Sequence, residues 1–374
     1  MVHSISLLGS ALLTASLAQA KPYGGGVTKS TLPFSLFEGD VTPEDISVEG
    51  GLDWPKLAPG VNGTTYDWWY FDVVSATDNT AVTVVLYNFA NGTLAVPYLG
   101  GPLLADLIVT FENGTSVRKF TAANKGADFQ ISDKGIASQW NSDESQYSFT
   151  GTSLDEPNPV YTISIDDPVN SVSGSIKFNS VSPPHYPCDV NKAGVSEDLF
   201  PNVWWANAVP DSDASVDLVI DGEEYHLQGY GYHDKNWGVD SLDKTTKTWY
   251  WGHGRVGPYS MVWFDAVEKA GKEHFSSWLV KDGEVLAMSC ADQASVVRPW
   301  GNNSLYPPTT GLTQPSGYTI RFDLGDDKAF VANFTSKVVS LDMDIYKRQI
   351  GPLVGGIEGE EQFEGMSQCE QFAF

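Results

Sequence analysis

Positive charge is scarce in this chain. Twenty-two Lys and Arg stand against 47 Asp and Glu, a net charge of −25 over 374 residues. No Lys/Arg cluster offers a local exception, so phosphate backbones and anionic lipid surfaces are repelled, which excludes nucleic acid as a partner. Apolar runs long enough for a spanning helix, about eighteen residues, are absent after the first twenty positions. Cysteine is limited to Cys188, Cys290 and Cys369, none at a C-x-x-C spacing, and no H-x-x-x-H pair occurs, so a metal site is not expected. The chain also lacks G-x-S-x-G, H-E-x-x-H, G-x-x-x-x-G-K and a G-x-G-x-x-G opening a helix. The common nucleophilic, metallo- and nucleotide chemistries have no footing, and no cofactor is expected.

What the chain has first is a leader. Residues 1–20, MVHSISLLGSALLTASLAQA, carry an apolar stretch from Ile5 to Leu17 followed by Ala18-Gln19-Ala20, the small-x-small pattern of a signal peptidase site. The sequence therefore predicts entry into the secretory pathway, with the product secreted or vacuolar and beginning near Lys21. Five acceptor sites for N-glycans agree with that route: Asn62, Asn91, Asn113, Asn302 and Asn333. In such a compartment three cysteines suggest one disulfide and one thiol, with three pairings open.

The remaining signal has period two. DWWYFDVV, TAVTVVLYNF, ADLIVTFENG, VYTISI, SVDLVIDGEEYHLQG, TWYWGHGRV, YSMVWFDAV and YTIRFDL are β-branched or aromatic runs bounded by turn residues. Hairpin turns are expected at Asn113-Gly114, Asp221-Gly222 and Asp282-Gly283. With 36 Gly and 21 Pro as punctuation, no amphipathic helix longer than about two turns is expected. The fold class is all-β, two antiparallel sandwich or barrel domains packed together. The polar VPDSDAS stretch (209–215) predicts a boundary giving an N-terminal β-domain at 21–212 and a C-terminal barrel at 213–374. A proline-rich loop at 179–202 reads as a lid or an inter-domain strut.

Twelve Trp, sixteen Tyr and eighteen Phe supply either strand packing or the walls of a ligand pocket. In YGYHDKNWG (230–238), strand parity puts His233 with Lys235 and Trp237, and Tyr232 with Asp234 and Asn236, on opposite faces. His233 and Asp234 therefore cannot form a dyad, and the motif is either a structural polar corner or one wall of a site. In TWYWGHGR, Trp249, Trp251 and His253 share a face of two aromatic plates and one titratable group, suited to stacking an unsaturated ligand and moving a proton, or to a core. YDWWYFD splits into Tyr66/Trp68/Tyr70/Asp72 and Asp67/Trp69/Phe71; NVWWAN adds Trp204 and Trp205, and SMVWFD adds Trp263.

At these residues the chain resembles a known family. TYDWWYFDVVS, GYGYHDKNWG, WYWGHGR and the terminal FEGMSQCEQF are similar, in order and spacing, to the lipocalin-like carotenoid hydratase (hydroxyneurosporene synthase) family. They are more closely similar to its fungal pericyclase branch, the Diels–Alderases; Lys235 stands where the family motif often has histidine or arginine. The resemblance implies lipocalin-type domains with a pocket between or within them. A secreted member most resembles the hetero-Diels–Alderases that join a tropolone-derived quinone methide to a humulene-type sesquiterpene in meroterpenoid biosynthesis. The implied activity is an intermolecular hetero-Diels–Alder cycloaddition on small hydrophobic polyketide and terpene substrates. An isoprenoid hydratase or dehydratase, or a non-catalytic carrier, are the alternatives. Orientation alone can contribute about 7–11 kcal/mol to such a reaction. Trp249, Trp251, Trp68, Tyr70, Trp204, Trp263 and Asn236 are the candidate walls. His253, Tyr232 or His233 would polarise the heterodiene oxygen, and His253 with Asp234 or Asp67 would drive a preceding dehydration.

Overall fold

The structure is a computed structural model that describes residues 26–374. The expected leader and its cleavage site lie outside those residues. Two curled antiparallel sheets hold nearly all the structure: one of thirteen strands, running in sequence from Thr28–Leu32 to Glu223–Gly238, and one of ten, from Thr246–Val256 to Phe363–Ala373. Leu242–Thr245, a single helical turn, joins them. All-β architecture follows from the alternating pattern, and the three expected hairpin corners form. Gly114, Gly222 and Gly283 all sit at positive φ, with Asp221 and Asp282 beside two of them, as tight hairpins require.

The expected boundary at 212/213 is corrected. VPDSDAS is no linker but the middle of the 18-residue strand Val203–Ile220, and the passage between sheets comes later, at 239–245. The polar residues there have partners across the sheet interface. Arg255, from the second sheet, grips Asp211 at 2.6 and 2.9 Å and reaches Asp213 at 2.7 Å, while Ser260 also bonds Asp211. Register shifts at 207–209 and 209–212 place β-bulges opposite Gly231–Asp234. A Cβ at Gly231 would stand 2.6 Å from Phe178 and from Ser212, so the corner closes only on glycine.

Each sheet wraps a core of its own. In the first, Trp69 packs on Phe129 (4.9 Å) and Trp140 (5.7 Å), which belong to strands at the far end of the same sheet. In the second, Ser295 on one edge strand bonds the carbonyls of Phe264 and Ser276, curling the sheet around Trp263, Tyr318, Phe330 and Phe334. A third apolar cluster, including Tyr66, Trp68, Tyr70, Tyr232, Trp249 and Trp251, lies where the sheets face each other. The strand Tyr66–Ser75 is buried on both sides because one face feeds its own core and the other this interface.

The 179–202 loop is a strut. Trp278 Nε1 donates to Ser182 Oγ (3.0 Å), Ser276 Oγ donates to the Pro187 carbonyl (2.5 Å), and Cys188 is bonded to Cys290. Cys369 is the buried free thiol. Among the described residues no helix is long and apolar enough to cross a membrane, and no three His, Cys, Asp or Glu side chains gather as a metal-binding set.

Candidate active site between the two sheets

Strand register builds the site in rows. On the first sheet, Asn236 lies beside Trp68 and Trp68 beside Tyr87; one step deeper come Asp234, Tyr70 and Val85. On the second sheet, Trp249, Phe372 and Tyr346 form one row, and Trp251, Glu370 and Arg348 the next. All twelve residues line one cavity of about 330 Å³ between the sheets, with the 92–96 turn, Leu341 and Met343 also on its wall.

A third row closes the floor. Tyr232 and Asp72 from the first sheet meet His253 and Gln368 from the second. Gln368 donates to Tyr70 Oη (2.8 Å) and Asp72 Oδ2 (2.5 Å), Tyr70 Oη donates to Asp72 Oδ2 (2.7 Å), and His253 Nε2 stands 2.8 Å from Asp72 Oδ1. Tyr232 stacks on His253 at 4.6 Å and meets Trp251 edge-on at 5.1 Å.

Asp234 is the carboxyl of the first sheet that lines the cavity. Trp205 Nε1 and Tyr232 Oη each donate to it at 2.7 Å, and both bonds fall on Oδ2. Tyr232 Oη in turn accepts from Asn207 Nδ2 at 2.7 Å. Those two donors favour the carboxylate, but burial disfavours it more and pushes the carboxyl up to about 7. On the second sheet the Glu370 carboxyl, also raised by burial against the pull of Arg348, receives Tyr346 Oη and the Arg348 Nε (3.3 Å) and Nη2 (3.1 Å), all on Oε1. Arg348 Nη1 has no partner among the described residues.

Six of the expected site residues sit elsewhere. His253 and Tyr232 are in the floor layer and do not line the cavity. His233 faces the first sheet's core: its Nδ1 meets the Tyr70 carbonyl (2.9 Å), its Nε2 meets Asp53 (2.8 Å), and its ring stacks on Phe71 at 3.8 Å. Asp67 points to the same side, paired with Lys235 Nζ at 2.8 Å, and Lys235 also donates to the Trp54 carbonyl. Trp204 packs in that core, whereas its neighbour Trp205 faces the interface and holds Asp234. Trp263 lies inside the second sheet; Gly252 makes room for it, since a Cβ there would meet the indole at 2.3 Å. Trp249, Trp251, Trp68, Tyr70, Asp234 and Asn236 do line the cavity.

The sequence reading missed Glu370, Arg348, Tyr346 and Tyr87, and of the NVWWAN pair it put Trp204 rather than Trp205 at the site. The signal available was a charge inside each of two strand-like runs, the Lys347-Arg348 pair in YKRQIGPLV and a single Glu370 in MSQCEQFAF. Of the acceptor asparagines, Asn91, Asn113, Asn302 and Asn333 are exposed. Asn62 is half-buried, and its Nδ2 is committed to the Gly39 carbonyl at 2.9 Å.

Two curled sheets with an aromatic, acid-bearing cavity between them define a lipocalin-like fold with a small-molecule site. The comparisons with known proteins narrow that class. The Diels-Alderase-like family profile matches residues 35–301, and the chain belongs to that family. It is 44% identical over 362 residues to the quinolone epoxide rearrangement protein penF of Penicillium thymicola, covering 96% of this chain and 99% of that one. It is 43% identical over 371 residues to the quinolone epoxide rearrangement protein asqO of Emericella nidulans, covering 99% and 98%. The crystal structure of CghA with Sch210972 superposes at a TM-score of 0.72 and 17% identity over 93% of this chain and 98% of that one, a likeness of fold. The family and the relatives share cyclisation and rearrangement chemistry. They do not single out the hetero-Diels–Alder reaction.

Proposed function

We propose that the protein isomerises a quinolone epoxide by acid-assisted ring opening. The observation that carries this reading is Asp234, a carboxyl raised to about 7 in an aromatic-walled cavity, with its two protein hydrogen bonds on one oxygen. A carboxyl poised there is about half protonated at neutral pH and can act as a general acid. Its proton passes to the epoxide oxygen and the C–O bond breaks, the electron pair staying on oxygen. The electron-deficient carbon faces the π-surfaces of Trp68, Tyr70, Trp249 and Trp251, which favour positive charge. An electron pair from within the substrate then closes onto that carbon, and a proton leaves. The product is an isomer of the substrate.

The names of penF and asqO support the substrate class. A volume of about 330 Å³ is at the small end for sites that enclose one drug-sized ligand, which suits an intramolecular reaction. The test is direct: incubation with an aryl or prenyl quinolone epoxide, read by mass spectrometry, should give a new product of unchanged mass. A product heavier by one water, or no product, refutes the reading. The hetero-Diels–Alder reading is the competing outcome, since the same acid could polarise a heterodiene carbonyl between the same walls. It predicts a product with the summed mass of a quinone methide and an alkene.

The secretory route is proposed alongside. It is supported by the 1–20 leader pattern, four exposed acceptor asparagines and a disulfide, which persists in oxidising compartments. Protein made in a fungal host should lose mass on treatment with an N-glycosidase; an unchanged mass counts against the route.

A further inference from the structure

Glu370 is a buried charge that the mechanism above leaves unused. It lies in the cavity row between Trp251 and Arg348, each directly across from it on a neighbouring strand, and its side chain lines the cavity. Tyr346 and both Arg348 contacts converge on Oε1, and Oε2 takes none of these three bonds. Packed apolar residues in place of a buried Arg–Glu pair often cost a protein nothing or stabilise it, so the pair is poorly explained by folding. Two carboxyls on the two facing sheets of one cavity offer a proton-in, proton-out arrangement.

We infer that Glu370 is the second catalytic residue, the base that takes the proton leaving the substrate while Asp234 supplies the one that opens the ring. This rests on the epoxide-isomerisation reading. The step balances: Asp234 loses a proton to the epoxide oxygen, and the C–O pair moves onto oxygen. The substrate's own electron pair forms the new bond to carbon, and the displaced proton ends on Glu370. Nothing is oxidised or reduced, and the two carboxyls exchange the proton before the next turnover. The charged and titratable groups acting on Glu370 are Arg348 and Tyr346 on the next strand, Cys369 beside it, and Tyr70, Asp72, Tyr87 and Asp234 from the first sheet. Burial, the larger effect, raises its basicity, while Arg348 pulls it toward the ionised state a base needs.

The experiment is the pH–rate profile of the wild type and of Glu370→Gln with a quinolone epoxide. The amide oxygen can still accept from Tyr346 and Arg348, so the variant removes the charge and keeps the anchor. In the wild type the rate should fall at low pH, as Glu370 takes up a proton, and at high pH, as Asp234 loses one. In Glu370→Gln we expect kcat to fall about 10²-fold, KM to change less than about threefold, and the acid limb to disappear. An unchanged kcat, or a lower kcat with the acid limb intact, overturns the inference; the second result means that Glu370 only positions Arg348. If Glu370→Gln does not fold, Glu370→Asp carries the test: it keeps the charge but withdraws it by one methylene. Its kcat should fall with KM retained, and a wild-type kcat overturns the inference. A wild type that makes no isomer instead refutes the underlying function, a result distinct from an active wild type with an indifferent Glu370 variant.

Discussion

Replacing Asp234 with Asn keeps the shape of the side chain and, through the amide oxygen, an acceptor for Trp205 and Tyr232, while removing the titratable proton. Lifting this carboxyl from 3.8 to about 7 corresponds to about 4 kcal/mol against its ionisation in the folded protein. The folded state therefore holds a proton that the unfolded state releases between those two pH values. Stability from this group is fully present below about 4 and is lost as pH rises through about 7, at up to about 1.4 kcal/mol per pH unit. The Asp234→Asn variant has no such dependence. Urea melts of the two proteins should show the wild type losing about 2–3 kcal/mol relative to Asp234→Asn between pH 5 and pH 8. The catalytic arm is independent of the stability arm. Wild-type kcat should fall about tenfold per pH unit above about 7, and Asp234→Asn should lie about 10²–10⁴-fold lower with no alkaline limb. A variant that keeps the wild-type rate, or the wild-type alkaline limb, refutes the assignment of Asp234 as the acid. A stability difference flat in pH refutes the raised carboxyl.

Trp251 meets Tyr70 at 5.3 Å and Tyr232 at 5.1 Å, so Trp251→Ala should cost about 3–5 kcal/mol and open the cavity, read as a lower melting temperature and a lower kcat/KM that Trp251→Phe largely restores. His233→Ala strips the buried Asp53 carboxyl of its 2.8 Å contact with Nε2 in the first core and should cost about 3–5 kcal/mol, yet leave kcat of the folded fraction within about twofold, because His233 faces away from the cavity. Burial pushes the Asp53 carboxyl up, but His233 and Lys235 outweigh it and hold it below the usual range. Cys290→Ser opens a crosslink between positions 102 residues apart and should cost about 2–5 kcal/mol, matched by reduction of the wild type under native conditions; equal melts of the two would contradict the pairing.

Much of this molecule is local information. Strand parity in YDWWYFD and YGYHDKNWG separates the same face sets that the structure separates, since successive side chains on a strand point to opposite sides whatever lies there. The Asn-Gly and Asp-Gly corners fix their hairpins because few other residues accept positive φ. The family resemblance rested on those same runs. Parity could not say which set would meet the other sheet. Trp204 and Trp205 are chemically identical, and only the pairing of Val203–Ile220 with Glu223–Gly238 decides that Trp205 reaches Asp234 and Trp204 does not. VPDSDAS read as a linker because its charges find their partners in Arg255 and Ser260, more than forty positions further on.

The amino-acid sequence determined an acidic, all-β chain, its hairpin corners and its two-faced aromatic strands, because each depends on residues within a few positions of one another. The cavity was a decision of the tertiary structure. Its acid and its base come from strands of different sheets, Asp234 and Glu370, 136 residues apart (370 − 234). Burial between those sheets, which no local pattern encodes, raises both carboxyls above their ordinary range.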